Sequence, residues 1–180
     1  VIPIFSALPP IYAKDVFAGG PDTLGMLLSA VGLGGIVGGF VSASLGGIDR
    51  RGLVQLLSLL LLGLSLIGFA LSPGLWVALG WLALAGFFEM IYLTSNQTLL
   101  QLSIPDDLRG RVTGIVSLNA GLTPIGALIG GIGSDLFGPR MITILLSGSA
   151  VAIAVIVFFA SPTVRDYRLS QALANDSATS

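Results

Sequence analysis

The sequence predicts an all-α fold, a polytopic integral membrane helix bundle, and three observations predict it. Apolar residues fill 54% of the 180 positions, while charged residues make up only 9%, against about 25% in soluble domains. Mean hydropathy is +0.97. The apolar residues fall in runs close to the roughly 20 positions that a spanning helix needs, and short segments between them hold the charges and turn residues. A chain so poor in charge could not cover itself against water, and lipid is its natural solvent.

Taken in order, residues 1–12 read as a partial span, too short to cross alone and interrupted by Pro3, Pro9 and Pro10. Residues 13–23 are a polar connection with Lys14, Asp15, Asp22 and the turn run Gly19-Gly20-Pro21. A Gly-rich span follows at 24–46, where Gly34/Gly38 and Gly35/Gly39 repeat at helical spacing as close-packing faces. Residues 47–52 form a tight charged turn. The span at 53–71 is rich in leucine and ends at Ser72-Pro73-Gly74. The apolar stretch 75–104 carries one acid and several amides, and 105–111 is a second charged turn. A further Gly-rich span covers 112–136 and closes at Phe137-Gly-Pro-Arg140, where Asp135 is placed to pair with Arg140. The last span, 141–160, has no charge. Residues 1–162 therefore make the transmembrane bundle, and 163–180 a polar tail.

Several function classes drop out. Net charge is −1, so there is no basic field to draw nucleic acid. The chain has no Cys and no His, which removes disulfides, thiolate chemistry, Cys/His metal sites and histidine relays. Gly32 and Gly34 are followed by Val37 where a dinucleotide fingerprint needs its third glycine, and no strand precedes them. No segment joins a nucleophile, a base and an orienting group, so no catalytic residue, metal site or cofactor is expected.

Lysine and arginine set the orientation. Arg50, Arg51, Arg109, Arg111, Arg165 and Arg168 collect on one side of the alternating connections, with only Lys14 and Arg140 opposite. The double-arginine turns and the C-terminus are thus expected in the cytoplasm.

Asn96-Gln-Thr-Leu-Leu-Gln101 and Ile104-Pro-Asp-Asp-Leu-Arg-Gly-Arg-Val112 resemble the tenth helix and following cytoplasmic loop of major facilitator superfamily exporters. They look most like the bacterial subgroup that includes the enterobactin exporter. Pro3-Ile-Phe and Tyr12-Ala-Lys-Asp-Val16 resemble the end of the seventh helix there, and the run from Gly126 to Arg140 is similar to the eleventh. The resemblance extends to about Pro162. It implies the C-terminal six-helix half of such a transporter, spans seven to twelve, built of two inverted three-helix repeats around a midplane site. It also implies a missing N-terminal half of the same chain, a bacterial inner-membrane location, and proton-coupled export of a small amphipathic molecule, drug- or siderophore-like. The superfamily's signature Gly-x-x-x-Asp-Arg-x-Gly-x-Arg-Arg is altered here to Gly46-Gly-Ile-Asp49-Arg50-Arg51-Gly52, with no basic pair after it. The charged clasp that this signature supplies carries over only as acid, base and glycine. The third and sixth spans fall at the family's peripheral ninth and twelfth positions.

Glu89 is the main candidate for function. An acid near mid-membrane costs about 2.5–3.5 kcal/mol on insertion scales, so it must face a cavity, find a partner or stay protonated. Tyr92 and Asn96 follow at i+3 and i+7, with Ser103 at i+14, making a polar stripe on one helix face. The stripe reads either as a substrate and proton path or as a helix–helix hydrogen-bond seam. Asn119 and Thr123 share a sector with Gly126, Gly130 and Gly133. They line a cavity, with Pro124 as a hinge, or they pack against a neighbour. Asp106 and Asp107 suit the first turn of a short helix, while Arg109 and Arg111 anchor the loop in lipid phosphates. The rival to transport is a polytopic scaffold or assembly protein that uses its small-residue faces to hold partner helices.

Overall fold

A computed structural model describes residues 8–44, 51–103 and 124–160, without the side chains of Arg51 and 98–103. Every regular element among them is helical: α1 (Leu8–Ile11) running into a π-turn at Tyr12–Val16, α2 (Pro21–Ser44), α3 (Arg51–Ala70) and α4 (Leu75–Ser103). Then come α5 (Pro124–Phe137) and α6 (Pro139–Ala160). The turns expected at 47–50 and 105–111, the span segment 112–123 and the tail 163–180 lie outside the described residues.

Proline does less damage than its count suggests. Pro9 and Pro10 sit inside α1, and Pro21 opens α2, where a first turn has no intrahelical partner for its N–H groups and proline's fixed φ suits it. Two expectations are corrected here. Prolines do not break the helix at 8–12, and the polar connection does not begin at residue 13. Helical geometry continues to Val16, with Phe17 N–H bonded to the Tyr12 carbonyl at 3.0 Å. Asp22 lies in the first turn of α2, where an acid is favourable to the dipole. Between α5 and α6 the chain reverses at Gly138, whose φ of +82° is natural for glycine. Pro139 then starts α6.

Among the described residues four helices are long and apolar enough to cross a membrane: Pro21–Ser44, Gly52–Ala70, Leu75–Gln97 and Pro139–Ala160. The described part of α5 is shorter. Helix α4 is the centre of the described bundle, packing most extensively on α2 and then on α3, while α3 also packs on α6. Glycine makes the first of these contacts possible. A Cβ on Gly34, Gly38 or Gly86 would collide with the Ala83, Phe87 or Val31 carbonyl respectively. The two backbones therefore touch, which is the small-residue route to helix association in lipid, where hydrophobic drive is absent. The Gly35/Gly39 pair is looser, its nearest neighbours lying at 3.8–3.9 Å.

The buried core joins Leu8 and Tyr12 of the first segment, Leu27 of α2, Leu62, Leu66 and Phe69 of α3, and Ala78, Leu82 and Ala85 of α4. The outside is apolar too. Phe40, Trp76, Leu136 and Phe159 are 71–79% exposed, a surface suited to acyl chains rather than water.

The end that holds the α3–α4 turn is closed by a polar clasp. Tyr12 OH donates to Thr143 Oγ1 at 2.9 Å, and Thr143 Oγ1 donates to the Pro139 carbonyl at 2.7 Å. The Tyr12 ring tilts over Phe69 at 4.4 Å. Arg140 Nη2 donates to the Ser72 carbonyl at 3.1 Å. The expected Asp135–Arg140 pair is not formed: the guanidinium reaches across to the neighbouring turn, where an orphan carbonyl accepts it.

Candidate functional site

Helix α4 carries the polar stripe. It has 29 residues, roughly 43 Å at ~1.5 Å per residue, and Glu89 stands at its midpoint. Its sequence permits that length because, after Pro73 and Gly74, no proline or charge occurs before Glu89. Glu89 is half-buried. It continues at helical spacing the row Ala78, Leu82 and Ala85, all in the core. The carboxyl-bearing face is therefore the one turned to the bundle interior. Among the described residues Glu89 has no hydrogen-bond or ion-pair partner, and residues 23–44 of α2 and 52–70 of α3 contain no titratable side chain.

Tyr92 and Asn96 are also half-buried. Asn96 has a specific partner: Gln55 of α3 donates its Nε2–H to Asn96 Oδ1 at 3.0 Å. The stripe thus looks at α3, and at its far end it serves as an interhelical hydrogen-bond seam. Gln55 was not singled out by the sequence, since α3 reads as a leucine-rich peripheral span. The available signal was its place one helical turn before Ser58, which is only 4% exposed. Ser65 and Thr94 turn their hydroxyls onto their own helices, to the Leu61 and Met90 carbonyls at 2.8 Å each.

The remaining candidates are placed as follows. Arg51 opens α3. Asn119, Thr123, Asp49, Arg50, Asp106, Asp107, Arg109 and Arg111 lie outside the described residues. Among the described residues no three His, Cys, Asp or Glu side chains converge on a metal position. Among the described residues, one apolar groove of about 390 Å³ lies between α2 and α4, lined by Leu33, Val37, Leu84 and Phe87. Another, about 250 Å³, lies between α3 and α6 beside Leu57, Leu60, Val155 and Phe158. Neither includes a residue of the polar stripe.

The sequence profile of the Major Facilitator Superfamily matches residues 3–178. The chain belongs to that superfamily. Membership of the Major Facilitator Superfamily, together with its long apolar helices, makes it a multi-pass membrane chain. Similar proteins include the staphyloferrin A transporter of Staphylococcus aureus, 26% identical over 86% of this chain and 39% of that protein. The multidrug efflux pump Tap of Mycolicibacterium fortuitum is 28% identical over 94% of this chain and 41% of its own. The enterobactin exporter EntS of Escherichia coli O1:K1 is 32% identical over 74% of this chain and 31% of its own. The chain thus spans about two fifths or less of the length of these relatives. No solved structure matches it.

Proposed function

We propose that this chain is the C-terminal six-helix half of a bacterial inner-membrane exporter, which moves a small amphipathic molecule, drug- or siderophore-like, by alternating access coupled to protons. Two inverted three-helix repeats would pair with a second bundle around a midplane site, with the double-arginine turns and C-terminus in the cytoplasm. The observation that carries this reading is a half-buried acid at the midpoint of the central helix, in a chain matched to the superfamily over residues 3–178. Two of the relatives above, an exporter and an efflux pump, support outward transport.

In this reading Glu89 carries the coupled proton and Tyr92 and Asn96 line its surroundings. Asn119 and Thr123 face the substrate path, and Asp49, Arg50, Arg51, Asp106, Asp107, Arg109 and Arg111 form the cytoplasmic loop clasp. A buried acid without a basic partner is stable in lipid only when it is protonated or hydrated, and alternation between those two conditions is what coupling requires. The test is efflux of a lipophilic dye by cells carrying the full-length transporter. Glu89→Gln should abolish proton-driven efflux. Efflux at the wild-type rate with the same dependence on external pH would overturn the assignment.

A further inference from the structure

The α3–α4 seam changes character along its length. Its register is fixed at two points: Gln55 bonds Asn96 at one end, and at the other Gly68 faces the Trp81 ring, which a Cβ would meet at 2.6 Å. Between these points the helices run antiparallel, which brings Tyr92 level with Ser58 and Glu89 level with Leu61 and Leu62. On the Gln55–Asn96 side of Glu89, the seam holds the polar residues Gln55, Ser58, Tyr92 and Asn96, with Leu59 among them on the α3 face. On the other side it holds Leu62, Leu66, Ala85 and Leu82, all no more than 2% exposed. Ser65 does not interrupt this apolar half, because its hydroxyl is turned onto the Leu61 carbonyl. Beyond the plug stands the Tyr12–Phe69 stack with its clasp to Thr143.

From this arrangement we infer that Glu89 communicates with water through the α3–α4 seam inside this half, by a polar path from the Gln55–Asn96 end that stops at the carboxyl. The path is one-sided. Glu89 is its last polar group, and the apolar plug seals it from the end that holds the α3–α4 turn. The distance is short: Asn96 lies seven positions after Glu89, roughly 10 Å of helix, and Tyr92 falls between them in the same stripe. Water bridges the gaps, and protons move along it between the carboxyl and the aqueous phase, no bond other than O–H being made or broken. The amide pair at the mouth is uncharged, so it passes a proton without offering a site where an ion would lodge. Tyr92 is the only other titratable side chain on α4, and residues 23–44 of α2 and 52–70 of α3 have none. The inference rests on the proposed coupling role of Glu89 for its purpose, but its geometry is tested separately.

The chain has no cysteine, so single cysteines can be placed without removing any from this half. In the full-length transporter, with any cysteines outside this half replaced, Glu89→Cys, Ser58→Cys and Ala85→Cys are treated with a membrane-impermeant methanethiosulfonate from either face of oriented vesicles. Pro73→Cys, in the exposed α3–α4 turn, marks the opposite face. The expected result is that Ser58→Cys and Glu89→Cys react from the face opposite to Pro73→Cys at least tenfold faster than Ala85→Cys does. Gln55→Leu in the Glu89→Cys background should slow that reaction about tenfold. If Glu89→Cys reacts as slowly as Ala85→Cys, or faster from the Pro73 face, the path is wrong, and Ser58→Cys shows whether the mouth at least is open. One-sided labelling together with coupled efflux by Glu89→Gln would keep the path and remove the proton role. Loss of coupling without such labelling would do the reverse.

Discussion

Replacing Gly34 by alanine should weaken the bundle, although alanine is the better helix former. A Cβ at this position would overlap the Ala83 carbonyl oxygen and lie 2.7 and 3.0 Å from the Ala83 C and Cα atoms. All three are backbone atoms of α4, so no side chain can swing aside and the helices must separate. Overpacking of this kind costs about 1–3 kcal/mol, and the rigidity of the obstacle argues for the upper end. The propensity gain offsets about 1 kcal/mol of it, leaving a net loss of about 2 kcal/mol. Gly32 provides the control, since a Cβ there meets nothing within 4 Å and Gly32→Ala should gain up to about 1 kcal/mol. The pair should thus differ by about 2–3 kcal/mol, measured as the shift in unfolding midpoint on titrating mixed micelles with denaturing detergent. Equal midpoints for Gly34→Ala and Gly32→Ala would refute the claim that backbone contact at this seam holds α2 to α4.

Other consequences are smaller or more local. Tyr12→Phe removes the hydroxyl bonded to Thr143 but leaves the ring on Phe69, so the loss should be about 0.6–1.7 kcal/mol by the same titration. Gly138→Ala must adopt a φ of +82° and should cost about 1–2 kcal/mol, whereas Ala18→Gly, at a φ of +48°, should gain a comparable amount. Ser147 is fully buried and its hydroxyl has no hydrogen-bond partner among the described residues. Ser147→Ala should therefore be neutral or stabilising by up to about 1 kcal/mol, and a loss above that size would mean that the hydroxyl is engaged. For the amide pair, Gln55→Leu and Asn96→Leu should be clearly less than additive when combined, as expected for two groups that share one bond.

Much of the architecture is legible in the sequence, because in lipid the backbone must satisfy its own hydrogen bonds and long apolar runs can only be helices. The runs that hold Phe40, Trp76 and Phe159 announce themselves by hydropathy, as does the break at Ser72-Pro73-Gly74. The stripe Glu89, Tyr92 and Asn96 follows from helical spacing alone. What spacing does not give is the neighbour. Gln55 is a single amide in a leucine-rich run, and only the antiparallel register of α3 and α4 brings it to Asn96. The two glycine pairs of α2 look equivalent in sequence, and the rotation of the helix decides that Gly34/Gly38 presses on backbone while Gly35/Gly39 finds its nearest neighbours only at 3.8–3.9 Å. Arg140 illustrates the same limit. Sequence proximity suggests Asp135, but the turn geometry at Gly138 sends the guanidinium to Ser72. The first segment misleads because a proline's effect depends on where in a helix it falls, and helical geometry runs through Pro9 and Pro10 to Val16.

The most direct test of the account is proton movement driven by substrate in proteoliposomes that hold the full-length transporter, read with a trapped pH indicator. Wild-type protein should move protons against the substrate flux, and Glu89→Gln should lose that signal while still exchanging labelled for unlabelled substrate across the membrane. Proton movement by Glu89→Gln at the wild-type ratio to substrate would contradict the assignment of the coupled proton to Glu89.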